Sequence, residues 1–226
     1  MPITTTAQTG VDISGAALPV KLTVPEKLAT IAGFVGAWYT PEYSSGSWPA
    51  KYGSGTTAAV SSVTPTKAFK NIGGTSTRCV EFTGVNTLQA AGSFTSGMSL
   101  SLALNMVIET GADQYILGGG AGWNLNWRNS DRMLRFNSTD LAVVAPGNRV
   151  IILYQGAAEC AVEVDNVIIG TVPMSGAPIT SLAIGNRQTS DQTGGLVGAV
   201  YRYALSTADL RGTDDEGLFR EIMTKF

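Results

Sequence analysis

Histidine is missing from all 226 residues. Its absence removes the commonest general base near neutral pH and the commonest metal ligand. Charge is scarce too. Asp, Glu, Lys and Arg make up 14% of the chain, against about 25% in an ordinary globular domain. The net charge of −2 provides no basic footprint for nucleic acid and no polybasic membrane patch. Only two cysteines occur, Cys79 and Cys160. They form no C-x-x-C pair of the metal type and read as two buried free thiols. No apolar run approaches the length of about 18 residues that a spanning helix needs. "MPITTTAQTG" has neither a charged n-region nor an apolar h-region, so a secretory signal is not expected. Synthesis in a cytoplasm follows, and a virion assembled in a host cell is compatible with it.

Glycine is what the chain has in excess, 27 residues, about 12% against a typical 7% or so. Alongside many Ser and Thr it suits a turn-rich β protein with a neutral polar surface. Residues 1–31 carry little aromatic content and scattered turn formers. They read as an N-terminal arm for attachment, with a helical turn or two between Pro25 and Ile31. Residues 32–226 read as one β-sandwich. "MSLSLALNMVI" alternates, with Leu100, Leu102, Leu104 and Met106 on one face, the period of a half-buried strand. "FVGAWYT", "TRCVEFTG", "QYILGGG", "WNLNWRN", "NRVIILYQG" and "CAVEVDNVIIGTV" are further strands, with Asp165-Asn166 as a two-residue hairpin turn. "PEYSSGSWPAKYGSGTTAAVSS" reads as a long loop or irregular edge. Turn signals every ten residues or so point to a sandwich or barrel.

The chain's end changes register. Val197, Ala199, Tyr201 and Tyr203 alternate as a strand. Ser206 with Asp209, and then Thr213 with Glu216, look like capping boxes. Leu218, Phe219, Ile222, Met223 and Phe226 then share one helical face. A short amphipathic C-terminal helix must therefore dock on something apolar.

"YRYALS", Tyr201 to Ser206, with Asp209 beyond it, resembles the "Y-x-R-x-L-s-x-x-E" ending of laminin-G-like domains of the concanavalin A-like lectin/glucanase superfamily. "AWYTPE" resembles the opening "WYD" strand of that family, "CVEFTGVNTLQA" its "vrFdGvddyl" segment, "AVEVDNVIIG" its "lYvDGvlvg", and "LAIGNR" its "lriGg". Together these cover residues 34–226. Tyr203 stands in place of the usual Arg, and "NRVIILYQG" replaces the "W-h-h-v" strand. The resemblance implies an all-β, two-sheet antiparallel jelly roll. It fixes no ligand, because the fold serves lectins, glycosidases and structural modules alike.

Glycoside hydrolysis needs two carboxylates about 5–9 Å apart. The approach to that pattern is Glu163-Val164-Asp165, which lacks a third carboxylate and runs into the hairpin turn. A Ser or Cys nucleophile would lack a His base, and Gly118-Gly119-Gly120 lacks the Lys-Ser/Thr of a phosphate loop. The expectation is therefore a chain that is not an enzyme. Calcium is an expectation through loop carboxylates, Asp131 and Asp191 first, then Asp113 and Asp140. The best binding stretch is "GWNLNWRNSDR". Trp123 and Trp127 could stack on sugar rings, while Asn124, Arg128, Asn129 and Asp131 bond hydroxyls. Alternation argues that Trp123, Leu125 and Trp127 share a core face, which leaves Asn124, Asn126 and Arg128 outward. Tyr43 and Trp48, in the polar loop, make a second patch.

Two functions from different classes are compatible with this. One is a non-catalytic, lectin-like module on a phage tail fibre, spike or capsid surface that recognises host glycan. The other is a decoration or tail-assembly protein of the same virion that binds no sugar. A bacterial enzyme or adhesin fragment is a third. Other virion proteins, met through the N-terminal arm, and further copies of the chain in a homo-oligomer are the expected partners. Neither nucleic acid nor membrane insertion is expected.

Overall fold

The computed structural model describes residues 22–61, 63–72, 74–90, 99–119, 123–174, 179, 181–188 and 193–225. Two antiparallel sheets face each other. In the first, the path runs Val167–Pro173, Glu159–Val164, Gly147–Gln155, Leu100–Ile108, Val197–Ser206, Phe34–Tyr39 and Tyr52–Gly53. The long Val197–Ser206 strand shares one edge between two partners. Its second half pairs with Phe34–Tyr39 and its first half with Thr75–Thr83, which carries Thr66–Ile72 as a hairpin. The second sheet runs Thr139–Val143, Met133–Phe136, Asn124–Arg128, Gln114–Gly118, Ala183–Ile184, Leu88–Gln89, Thr56–Ala59 and Ser47–Pro49. The expected all-β, two-sheet sandwich with a short C-terminal helix is what forms.

The core lies between the sheets. Leu102, Leu104 and Leu153 of the first meet Leu125, Trp127 and Phe136 of the second within one buried cluster. Tyr203, which departs from the resemblance's pattern, is part of this core. Its ring stacks on Trp38 at 4.3 Å between centroids, and its hydroxyl bonds Thr57 across the interface.

The outer face of the first sheet is also covered, so its strands lose the simple alternation of a half-buried sheet. The C-terminal helix, Asp215–Thr224, lays Phe219, Ile222 and Met223 on it. Small side chains there, Ala103, Ala161 and Ala204, let the helix approach closely. The amphipathic face is as expected, with Phe226 outside the described residues. The two capping boxes do not form. Ser206 ends its strand, donating to the Ala32 carbonyl and accepting from the Ala208 amide. Thr213 donates to the Leu210 carbonyl, and the helix starts at Asp215. Asp215 instead accepts the Ala32 amide at 2.8 Å. That contact binds the helix start to the segment before the first strand.

Within the segment read as an arm, Val24–Leu28 is helical and opens with the Glu26 carboxylate on the Thr23 amide, 2.7 Å away. Leu28 and Ile31 are buried beside the C-terminal helix, so residues 24–31 pack onto the sandwich. Residues 1–21 lie outside the described part of the chain.

The turns follow backbone chemistry. Asp165 and Asn166 have φ of 51° and 68°, the two positive values of a type I′ hairpin. Asn137 and Ser138 repeat it at 49° and 67°. At Gly118 the backbone passes so close to Arg187 that a Cβ would stand 1.5 Å from its carbonyl oxygen. Both thiols are free and buried. Burial pushes Cys79 up to about 11 and Cys160 up to about 12.

Candidate functional site

The outer face of the second sheet carries no helix among the described residues. Its central strand, Asn124–Arg128, alternates half-buried and buried residues. Trp123, Leu125 and Trp127 point into the core, and Asn124, Asn126 and Arg128 point out, as the period of two requires. A register shift in Gln114–Gly118 lets Tyr115 stand opposite Asn126. On the other side Arg135 stands opposite Asn126, and Asp140 opposite Arg135. A row of Tyr115, Asn126, Arg135 and Asp140 thus crosses four strands on one face.

Electrostatics organise the edge of this face. Arg128 grips Asp131 with two bonds, Nε to Oδ1 at 2.9 Å and Nη2 to Oδ2 at 2.5 Å. It also reaches Asp140 at 3.1 Å, and Arg135 approaches the same carboxylate at 2.7 Å. The guanidinium of Arg128 holds the Asp131 carboxyl below its ordinary range. At the other end the Arg187 guanidinium lies over the Tyr115 ring, 5.7 Å from its centre. The Asn124 and Asn126 side-chain amides bond no other described residue. Beside a fixed ion-pair cluster and an aromatic ring, the sheet thus offers two side-chain amides that bond no other described residue. That combination suits hydroxyl-bearing ligands.

The residues named from sequence therefore divide. Asn124 lies at one end of its strand, and Arg128, Asn129 and Asp131 come together at the other end, at one edge of this face. Asn129 is partly used there, its amide on Asp113 at 2.9 Å and its side-chain oxygen accepting from Gly111 at 3.3 Å. Tyr43, Trp48 and Trp127 do not belong to a binding surface. They are 1%, 0% and 0% exposed, so no ring face is free to stack on a sugar. Each polar tip is satisfied inside: Trp48 Nε1 on the Tyr39 carbonyl at 2.8 Å, Trp127 Nε1 on Val144 at 2.9 Å, Tyr43 Oη on Pro65 at 2.5 Å. The polar stretch around Trp48 is the irregular edge, not the long loop, of the two readings its composition allowed. It supplies Ser47–Pro49 and Thr56–Ala59 to the second sheet and Tyr52–Gly53 to the first. Tyr115, Arg135 and Arg187 are the members that sequence reasoning missed. For Tyr115 the signal was present, since it alternates against Gln114 and Ile116.

Calcium finds no described home. Asp131 and Asp140 are held by arginines, Asp113 by the Asn129 amide, and Asp191 lies outside the described residues. Among the described residues, no group of three or more His, Cys, Asp or Glu side chains is placed to hold a metal. The carboxylates weighed for hydrolysis are also accounted for. Asp165 sits in its hairpin turn and accepts the Val150 amide at 2.9 Å. Glu163 is buried against Arg220 of the C-terminal helix, whose Nη2 also meets Glu216 at 2.8 Å. This pair ties helix to sheet.

No family model and no curated protein matches the chain. Its fold, however, matches solved structures. A Trypanosoma rangeli sialidase complexed with 2,3-difluorosialic acid superposes with a TM-score of 0.63 at 15% identity, over 89% of this chain and 38% of that one. A GH54 α-L-arabinofuranosidase gives 0.56 at 10% identity, over 78% and 50%. Domain 4 of a GH43 extracellular arabinanase from Geobacillus stearothermophilus, complexed with arabinotriose, gives 0.53 at 12%, over 78% and 93%. The chain thus spans little more than a third of the sialidase. At these identities the likeness shows the fold, a β-sandwich found in glycoside hydrolases. The expectation that the chain is not an enzyme does not stand, because these three solved structures that share its fold come from glycoside hydrolases.

Proposed function

We propose that this chain is a carbohydrate-engaging β-sandwich of the kind built into glycoside hydrolases, and that saccharide lies across the open face of the second sheet. One observation carries the reading. Two outward amides that bond no other described residue, Asn124 and Asn126, lie along one strand on a sheet face that no described helix covers, with the Tyr115 ring beside Asn126 and the anchored guanidinium of Arg128 at the next outward position. Amides and guanidinium bond sugar hydroxyls, and the ring offers an apolar wall. Arabinotriose is a natural first probe, since it is the ligand in the arabinanase domain. The composition adds a setting to this proposal, the surface of a phage tail fibre, spike or capsid.

The test is isothermal titration with a panel of neutral and sialylated oligosaccharides that includes arabinotriose, with product release followed in the same samples. We expect binding that weakens at least about tenfold in Asn126→Ala and in Tyr115→Ala, the loss of one or two good contacts. Unchanged melting would show that the sandwich itself is intact. Binding indifferent to both substitutions would remove the open face from consideration.

A further inference from the structure

Four cationic side chains gather around the Thr40–Glu42 turn, on the other sheet. The Lys51 ammonium lies 5.0 Å from the centre of the Tyr39 ring, and the Arg202 guanidinium 5.1 Å from it. Arg78 lies over Phe69 at 5.5 Å, and Lys67 reaches the Pro41 carbonyl at 3.3 Å. None of the four has a carboxylate partner among the described residues. By contrast Lys70, Arg128, Arg135, Arg149, Arg211 and Arg220 all form ion pairs. Glu42, in the same turn, pairs with none of the four, and its Oε2 is buried without a partner. In a chain of net charge −2, this is a local excess of positive charge that mutual repulsion disfavours.

Three of the four, Lys67, Arg78 and Arg202, line two clefts. One, of about 200 Å³, is bounded by Tyr39, Pro41, Thr77, Arg78 and Arg202, among others. The second, of about 380 Å³, holds Lys67 with Ser44, Ser45, Thr64 and Thr66 above the buried Tyr43. Lys67, bonded to Pro41, links the two. The hydroxyls of Ser44, Ser45, Thr64 and Thr66 bond no other described residue. Guanidinium groups bind planar or tetrahedral anions through paired N–H donors. A hydroxyl-lined groove beside them suits a polyhydroxylated body.

We infer that these clefts bind a sulfate or carboxylate group, free or carried on an acidic saccharide. The charged group sits between Arg78 and Arg202, and the sugar extends past Lys67 into the hydroxyl-lined groove. The site is separate from the open face of the second sheet and stands or falls without it.

The test uses the full chain and sulfated dextran oligomers, with neutral dextran oligomers of equal length and inorganic sulfate as further arms. The variant is Lys67→Gln with Arg78→Gln, both exposed side chains, and its melting temperature is checked against the parent. Parent binding to the sulfated oligomer should fall at least about tenfold in the variant and weaken with added salt, as screened charge pairs do. Asn126→Ala should leave it unchanged, which separates this site from the one proposed above. Competition by inorganic sulfate at the oligomer's own affinity marks the anion itself as the ligand, and weaker competition marks the saccharide that bears it; both support the site. Equal binding of neutral dextran, binding unaltered in the variant, or equally tight single-stranded DNA through the same two residues would overturn it.

Discussion

Trp48→Ala separates a core reading of the aromatic residues from a lectin-like one. Trp48 is fully buried, and its ring meets Tyr43 at 5.7 Å and Tyr203 at 5.4 Å, both edge to face. A tryptophan buries about 200 Å² on folding, which at about 25 cal/mol per Å² is roughly 5 kcal/mol as an upper estimate. Measured aromatic-to-alanine truncations in cores fall at about 3–5 kcal/mol. The substitution also strands the Tyr39 carbonyl that Trp48 Nε1 now satisfies, so the upper half of that range is expected. For a domain of this length each kcal/mol lowers the melting temperature by about 2–4 °C, so the drop should be of order 10 °C or more. Urea unfolding followed by the fluorescence of the remaining tryptophans measures it. A variant as stable as the parent that had lost saccharide binding would refute the reasoning, because Trp48 would then be a surface residue.

Other consequences follow from particular contacts. Arg220→Ala leaves the Glu163 carboxylate buried with no cation and should cost about 3–5 kcal/mol in a denaturant titration, largely recovered when Glu163→Leu is added. Gly118→Ala should destabilise by about 1–3 kcal/mol or more, since the neighbour at 1.5 Å is backbone and cannot swing aside; an unchanged urea midpoint would contradict the register of that strand. Stability should fall as pH rises from about 9. Burial holds the Cys79 thiol up at about 11, and Cys160, Tyr39 and Tyr201 at about 12. The unfolded chain gives up these protons first, so deprotonation pulls the equilibrium toward it until the folded groups titrate as well. Urea midpoints compared at about pH 8 and pH 10.5 check this, and a midpoint that rises would refute it. Near pH 8 both thiols should resist a disulfide reagent until the protein unfolds.

The sandwich was legible because strands announce themselves by a period of two. Leu100 to Met106 and Trp123 to Trp127 face the core as alternation requires, and Asp165-Asn166 makes the turn its positive φ values demand. Alternation cannot tell what lies over the far face. The small residues Ala103 and Ala204 make sense only beneath a helix more than a hundred residues away from the first of them. The region around Trp48 was legible as an irregular edge but misled on the exposure of its tryptophan, for a related reason. Glycine and serine there reflect short strands at the ends of both sheets, where a tryptophan fills the core between them. The open face was half legible. Asn124, Asn126 and Arg128 follow from the period, but Tyr115 and Arg135 join them only through cross-strand register, which depends on bulges such as the shift between Leu125 and Asn126. Arg128 and Asp131 are three residues apart, but Arg135 and Asp140 join their ion-pair cluster only through pairing of strands.

Saccharide recognition on the open sheet face is tested most directly by nuclear magnetic resonance. The side-chain amide signals of Asn124 and Asn126 would be followed as arabinotriose and the other oligosaccharides are added. Saturable shifts at these two amides and at the Tyr115 ring, abolished in Asn126→Ala, are the predicted result. Shifts confined to other surfaces, or no shift from any saccharide with the protein folded, would contradict it.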